Sequence, residues 1–337
     1  MATIKDVAKL AGVSVSTVSL VLNTTMEQRR VSPQTWQKVH NAMDTLNYRP
    51  NKDARKLRKN AKQVPTIGLF WPYHYNSDIL GKVIVVLKET FDSLYFDCEV
   101  AVHMFQANHL SECAELISPE YMDGVIFGLL GTDDLDWLEQ TEVEIPVVNL
   151  GRQMKRYSSV RAENRAMGRL AAEMLLKQKC GKTAILCMKD RGRASQKRLE
   201  EFIKAYDNSG KEYLMYECRE EEPTDAVVER MKNMVEEKKP DSLVCFTYDA
   251  VTYPTIFTLL NCHVKIPEDM KVVVVNMSLG SFFKYFSPTV TTVSAPTEQM
   301  VADCAKILVH QMKERDTFPV HKIYDPDVFY GETCPQF

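Results

Sequence analysis

The feature that most constrains the fold of this chain is an alternation, from residue 64 onward, of short β-rich runs with longer helical patterns. The short runs are bounded by turn-forming residues, which favours strands, and strands that alternate with helices predict parallel sheets covered on both faces. The predicted strands are Thr66–Trp71, Glu99–Met104, Gly124–Leu129, Val147–Leu150, Thr183–Met188, Leu243–Phe246 and Val272–Val275, and the predicted helices are 79–94, 165–178, 198–207, 225–237 and 251–260. About 270 residues are many for one sheet, so we predict an α/β core of two Rossmann-like lobes.

The N-terminal residues differ in charge from this core. Residues 1–62 contain 12 Lys or Arg and 4 Asp or Glu, a net charge of +8, whereas the other 275 residues carry −11. A basic segment ahead of an acidic body predicts a nucleic-acid-binding head. Charge alone leaves open a solvated basic tail, so the motifs of the segment have to decide.

The head has the start and stop signals of three short helices. Thr3 and Asp6 form a capping-box pattern, Gly12 marks a tight turn, and Ser14 is a good N-cap for a second helix. A third helix is predicted to begin at Ser32–Pro33. Two short helices joined by a turn that contains Gly predict a helix-turn-helix.

The exposed face of the second helix carries small, uncharged side chains, which can approach bases without the repulsion of a carboxylate. Hydroxyls and nearby cations can contact phosphates. The apolar positions on the other faces are expected to pack in the head. The candidate DNA contacts of the head are Thr3, Val15, Ser16, Thr17, Ser19, Leu20, Asn23 and Arg29.

From Thr3 to Leu57 the chain reads T-I-K-D-V-A-K-L-A-G-V-S-V-S-T-V-S-L-V-L-N, then V-S-P-Q-T-W-Q-K-V-H-N-A-M-D-T-L-N-Y-R-P-N and A-R-K-L. This segment resembles the LacI family of bacterial transcriptional regulators. The resemblance implies that Val15, Ser16 and Leu20 read base edges in the major groove. Most family members have Arg where this chain has Leu20. Arg can bind guanine bidentately, whereas Leu makes only apolar contact, so we expect an operator that departs from the usual half-site.

Residues 51–59 resemble the hinge helix of the family, which folds on DNA and pairs with its twin across a dimer. Leu57 matches the leucine that wedges into a minor-groove step. The hinge candidates for DNA contact are Asn51, Ala54, Leu57 and Arg58. An ordinary basic linker is the alternative interpretation. The expected domains are a helix-turn-helix domain at 1–50, a hinge helix and linker at 51–63, and a two-lobed effector-binding and dimerisation domain at 64–337.

The core resembles a periplasmic-binding-protein-like effector domain, in which a ligand binds between the lobes at the carboxyl ends of the strands. Arg198 matches the arginine that grips the ligand, whereas the G-F-D-D of the family is replaced by Val274–Met277, with loss of a carboxylate at Asn276. The aromatic rings of Tyr73 and Tyr75 can stack on a ligand ring. We expect a small, polar, uncharged effector, with a sugar or sugar derivative as one class. The candidate effector contacts are Tyr73, Tyr75, Asn76, Arg198, Asp249 and Asn276.

Motifs for other functions are missing from the sequence. There is no G-x-x-x-x-G-K-[ST] loop, no G-x-G-x-x-G and no metal-ligand spacing of His or Cys, so we expect no cofactor, no metal and no enzyme activity. The 9 scattered Cys and the absence of a signal peptide or a membrane-length apolar run indicate a cytoplasmic protein.

These observations predict a sequence-specific repressor that binds double-stranded, pseudo-palindromic operator DNA. No leucine heptads follow Gly331, so we expect a homodimer. Two alternatives stay open: a regulator with a degenerate cleft controlled by a protein partner, and an α/β enzyme with a DNA-binding head. A secreted binding module would need a signal peptide in place of the head.

Overall fold

The computed structural model describes residues 3–22, 31–46, 48, 64–73, 77–189, 192–219, 222–262, 264–276, 282–314 and 318–336. It divides into two compact units, residues 1–64 with 119–122 and residues 65–118 with 123–337. In the described ranges, none of the helices combines the length and the apolar content that crossing a membrane requires.

The head contains three helices, α1 (Ile4–Ala11), α2 (Val15–Leu22) and α3 (Pro33–Thr45). The predicted caps are confirmed. The capping box of α1 is complete, Gly12 ends α1 with φ +65°, and the hydroxyls of Ser14 and Ser32 each accept a backbone N–H three residues on, at 3.1 and 3.2 Å. The core of the head takes one fully buried valine from each helix, namely Val7, Val18 and Val39.

The core unit contains two six-stranded sheets, which confirms the predicted pair of Rossmann-like lobes. The N-lobe has the strand order β11-β5-β4-β3-β1-β2, and all of its strand pairs are parallel. The C-lobe has the order β12-β10-β9-β8-β6-β7, in which only the β10–β12 pair is antiparallel. The strands are β1 (Thr66–Pro72), β2 (Glu99–Phe105), β3 (Gly124–Gly128), β4 (Val147–Leu150), β5 (Ser158–Ala162), β6 (Lys182–Met188), β7 (Glu212–Cys218), β8 (Ser242–Phe246), β9 (Lys271–Asn276), β10 (Thr291–Ser294), β11 (His321–Tyr324) and β12 (Asp327–Phe329).

Helices cover the sheets, as expected for parallel strands. They are α4 (Ser77–Ser93), α5 (Thr132–Gln140), α6 (Asn164–Lys177), α7 (Arg193–Ser209), α8 (Thr224–Lys238), α9 (Asp249–Asn261) and α10 (Thr297–Lys313), with short 3-10 helices at Leu110–Leu116 and Phe282–Tyr285. The seven predicted strands and five predicted helices are all present, with ends that shift by up to five residues. Five strands were not predicted: β5, β7, β10, β11 and β12.

The chain passes between the lobes three times. The first crossing follows β5, the second lies between β10 and α10, and the third lies between β11 and β12. The first and third crossings are hydrogen-bonded to each other, because the Glu163 amide donates to the Tyr324 carbonyl at 2.8 Å. These crossings join two otherwise separate sheets, so they are the segments that a change in the angle between the lobes must bend.

Candidate functional site

Helix α2 presents an uncharged surface. Val15 is 39% exposed and Ser16 is also exposed, while Thr17, Ser19 and Leu20 are partly exposed. Val18 and Val21 of the same helix are buried in the head. The five candidate base and phosphate contacts of α2 therefore lie on the side of the helix that the head leaves accessible.

The hydroxyls at the start of α2 form a small network. The Ser14 Oγ lies 2.7 Å from the Ser16 Oγ and 2.8 Å from the Thr17 Oγ1, and it accepts the Thr17 amide. A hydroxyl both donates and accepts, so Ser16 and Thr17 can keep this contact and still bond to DNA. The N-cap that begins the helix thus also orients the candidate contacts. Thr3 caps α1, and its side chain is held by Asp6 at 2.7 Å.

Several sequence-predicted site residues lie outside the described residues. They are Asn23, Arg29, Asn51, Ala54, Leu57 and Arg58 for DNA, and Tyr75 and Asn76 for the effector. For these positions the roles remain predictions from the sequence.

The effector candidates of the core follow strands at their carboxyl ends, where parallel sheets bind ligands. Tyr73 follows β1 in the N-lobe and is 45% exposed. In the C-lobe, Asn276 ends β9, Asp249 begins the helix after β8, and Arg198 lies in the helix after β6. The structure brings two of these four together in a hydrogen bond and places Arg198 with different partners.

Asp249, at the start of the helix after β8, and Asn276, at the end of the neighbouring strand β9, form a polar pair. The Asn276 Nδ2 donates to the Asp249 Oδ1 at 2.9 Å, and the Tyr253 hydroxyl donates to the other carboxylate oxygen at 3.4 Å. The Asn276 carbonyl accepts the amide of Ala295 at 3.3 Å, and Ala295 lies in the second crossing. A carboxylate, an amide and a phenol side by side can both accept from and donate to ligand hydroxyls.

Arg198 is a buried cation. Only 6% of it is exposed, and its Nε donates to the Asn164 Oδ1 at 2.7 Å. Asn164 is equally buried and donates to the Ala162 carbonyl at 3.1 Å, so Arg198 is tied to the first crossing. Burial, with a smaller contribution from the charge of Arg152, lowers the pKa of the Arg198 guanidinium to about 9, so it remains a cation at neutral pH.

Two glycines allow this arrangement. A Cβ at Gly168 would lie 1.9 Å from the Arg198 carbonyl oxygen, so α6 and α7 approach each other closely only because this residue is glycine. A Cβ at Gly192, directly before α7, would lie 3.2 Å from a terminal nitrogen of Arg152. Arg152 follows β4 of the N-lobe, and it therefore reaches across to the helix of the C-lobe that carries Arg198.

Sequence reasoning missed Asn164 and Arg152. The role of Asn164 depends on a contact between residues 34 positions apart, which no local pattern indicates. Arg152 is positioned by Asn149, a fully buried residue whose Nδ2 donates to the Arg152 carbonyl at 2.8 Å. An Asn in an otherwise apolar strand, followed three residues later by an Arg in the loop, is a sequence signal that could have indicated this position.

The helical head and the two-lobed α/β core together define a DNA-binding regulator with a periplasmic-binding-protein-like core. Residues 3–51 match the family described as "Bacterial regulatory proteins, lacI family", and residues 172–334 match the "Periplasmic binding protein-like domain". The chain thus combines a DNA-binding head of the lacI family with a periplasmic-binding-protein-like domain. The family is one of regulators and not of enzymes, so the alternative of an α/β enzyme is wrong.

Individual proteins agree with this assignment. The HTH-type transcriptional repressor PurR of Aliivibrio fischeri strain MJ11 is 28% identical over 333 residues, which cover 94% of this chain and 93% of the relative. The lac repressor dimer bound to operator and the anti-inducer ONPF is 20% identical with a TM-score of 0.68, and 99% of each chain is covered. A complex of the transcriptional regulator CelR with cellobiose is 22% identical with a TM-score of 0.65, covering 99% of this chain and 100% of that one. The two structures show that the fold is shared.

Proposed function

We propose that this protein is a repressor that binds pseudo-palindromic, double-stranded operator DNA as a homodimer, and that a small molecule in the cleft changes its affinity for the operator. The observation that carries the proposal is the hydrogen bonding of the cleft residues. Arg198 is bonded through Asn164 to the first crossing, and Asn276 is bonded to the second. A ligand that moves these side chains therefore acts directly on the segments that set the angle between the lobes.

On the DNA side, Val15, Ser16 and Leu20 read base edges, because they lie on the accessible and uncharged face of α2. Hydroxyl donors and cations fix the register of the head on the phosphates. The phosphate and hinge contacts are assigned to Thr3, Thr17, Ser19, Asn23, Arg29, Asn51, Ala54, Leu57 and Arg58. Leu57 acts as an apolar wedge that bends the operator.

On the effector side, we assign ligand binding to Arg198, Asp249 and Asn276 of the C-lobe and to Tyr73, which follows β1 of the N-lobe. From the sequence we assign Tyr75 and Asn76 to the same role. The relative from Aliivibrio fischeri is a repressor, and CelR was solved with cellobiose, which supports a small effector with several polar groups. The effector and the operator must change each other's affinity by the same factor, because binding equilibria that share a conformational change are linked.

The DNA part of the proposal is tested by selecting operators from a random DNA library with the full chain. We expect a pseudo-palindrome that binds two chains, with about 10³-fold or higher preference over unrelated DNA. Ser16→Ala should weaken the preference at specific base pairs, whereas Gln37→Ala, at an exposed position of α3, should leave it unchanged. A library that returns no enriched sequence contradicts the proposal.

A further inference from the structure

We infer that the effector carries an oxyanion, as a phosphate ester or a carboxylate, and that Arg198 of the C-lobe and Arg152 of the N-lobe bind it together. The inference rests on the proposed function of the cleft as the effector site. It replaces the uncharged effector expected from the sequence with a charged one. Three features of the cleft support it: the terminal N–H donors of the buried Arg198, the second cation beside it, and the mixed donors and acceptors of the remaining side chains.

The first feature is the hydrogen bonding of Arg198. A guanidinium has five N–H donors, and the Nε of Arg198 donates to the neutral side chain of Asn164, which leaves the four donors of the terminal nitrogens for other partners. Within the described ranges, no carboxylate pairs with Arg198, although only 6% of the residue is exposed to solvent. Arginine is almost never buried without a paired anion, because removing a cation from water is costly. The terminal nitrogens of Arg198 are therefore the groups that we assign to an anion of the effector.

A second buried charge in the same core shows the contrast. Asp303, also 6% exposed, accepts hydrogen bonds from Lys306 at 3.0 Å, from Lys322 at 2.7 Å and from the Tyr324 hydroxyl. This carboxylate is satisfied entirely by the chain. The fold is therefore able to pair a buried charge fully, whereas the described residues provide no carboxylate for Arg198.

The second feature is the positive charge of Arg152 near Arg198. Among the described residues, the charge of the Arg152 guanidinium acts on Arg198 and, after burial, lowers its pKa. Arg152 reaches from the N-lobe to within 3.2 Å of the Cβ position of Gly192, at the start of α7 in the C-lobe. Two cations on opposite lobes repel each other, and an anion between them turns the repulsion into attraction for both. Such a ligand would hold the lobes together in a way that a neutral sugar cannot.

The third feature is the set of side chains that we assign to the part of the effector away from its oxyanion. Asp249, Asn276 and Tyr253 offer a mixed set of donors and acceptors, which suits hydroxyl groups. A carboxylate such as Asp249 would repel a second anionic group at that end. The cleft therefore fits a polyhydroxylated metabolite with its negative charge at one end, such as a sugar phosphate or a sugar acid.

Thermal melting of the full chain tests the inference with matched probes. The probes are inorganic phosphate, glucose 6-phosphate and gluconate, each compared with glucose at constant ionic strength. The variants are Arg198→Gln and Arg152→Gln, and the control is Arg169→Gln, which removes an exposed cation of α6 that pairs with Glu173. The control is needed because phosphate also stabilises proteins without binding them, and because the basic head can bind anions.

We expect at least one anionic probe to raise the melting temperature more than glucose does, in the wild type and in Arg169→Gln alike. Each cleft variant should weaken the binding of that probe by about 10- to 100-fold, since each loses charge-assisted hydrogen bonds. The comparison of phosphate ester with gluconate separates the two sources of the oxyanion. If Arg198→Gln does not fold, Arg152→Gln alone decides, because its side chain is only partly buried.

Two results would overturn the inference. One is a melting shift by anions that is the same in both cleft variants as in the wild type, since the anion would then bind elsewhere. The other is stabilisation by glucose that equals or exceeds that by its anionic derivatives. Neither result affects operator selection, so failure of the inference is distinguishable from failure of the proposed function.

Discussion

The proposed DNA-reading face of α2 and the cleft around Arg198 differ in both charge and burial. We propose that the α2 face meets a polyanion, yet this face is uncharged and accessible, whereas the cleft holds two arginines, one of them almost fully buried. Charges around the head act through water over several ångströms and need no contact with a base. In the cleft, burial strengthens the electrostatic interaction of each charge, because little water screens it. The charge of a surface therefore does not by itself indicate which partner that surface binds.

The largest predicted difference between the two surfaces is their response to salt. If the head contacts about 6 to 10 phosphates, operator affinity should fall about 10³- to 10⁵-fold between 50 and 200 mM salt. The affinity of the cleft for glucose 6-phosphate should fall less than about tenfold, because few charges are involved and they are poorly screened. Both are measured on the full chain by titration at a series of salt concentrations. An operator affinity that hardly depends on salt contradicts the assignment of the head.

A second prediction concerns the close approach of α6 and α7. Gly168→Ala should destabilise the core by about 3 kcal/mol or more and should displace Arg198, because the new Cβ meets backbone at 1.9 Å. Gly81→Ala is the matched control on α4, where a Cβ meets nothing within 4 Å and the substitution should be neutral or stabilise by up to about 1 kcal/mol. Urea unfolding measures both. Equal stability of the two variants would remove the argument that Gly168 positions Arg198.

A third prediction concerns the reading face alone. Leu20→Arg should change the preferred base pair at one position of each half-site, toward guanine, with about 1 to 3 kcal/mol of discrimination. Leu10→Arg is the control, since Leu10 is 52% exposed on α1 and the substitution adds the same charge away from α2. Library selection with both variants checks this. An unchanged preference in Leu20→Arg would mean that Leu20 does not face the bases.

The smallest predicted effect concerns Asp303, the buried charge that is fully paired. Burial raises its pKa, but hydrogen bonds from Lys322, Tyr324 and Lys306 outweigh burial and lower the pKa from 3.8 to about 2. The folded state therefore gains stability from this group above pH 3.8 and loses it as the pH falls toward about 2. Asp303→Asn should flatten the acid side of the stability curve in urea unfolding, whereas Asp92→Asn, at an exposed pair with Lys88, should not. Parallel curves for wild type and Asp303→Asn would disprove the pairing.

Much of the fold could be predicted from the sequence because its signals are local. The caps at Thr3, Ser14 and Ser32 and the turn at Gly12 depend on residues within four positions of each other. The strands that were missed carry polar residues or lie at an edge. Ser158 of β5 looks unsuited to burial, but its hydroxyl is satisfied by Gln311 and by the Val320 amide, which come from the far end of the chain.

The candidate site was only partly predictable for the same reason. Arg198 was recognised by resemblance, but its burial, its bond to the neutral Asn164 and its cationic neighbour depend on contacts between distant segments. The expectation of an uncharged effector came from the loss of a carboxylate at Asn276. The charge of the cleft depends instead on Arg152, which no local pattern connects to Arg198.

The central claim is that cleft and operator are coupled, and it is tested most directly by one comparison of dissociation constants. The affinity of the full chain for its selected operator is measured with and without a saturating amount of the anionic probe that stabilises the wild type most. We expect the operator dissociation constant to change by about 5- to 150-fold in the wild type, in either direction, and to change little in Arg152→Gln. An identical operator affinity in the presence and absence of the probe, with the probe bound, would contradict it.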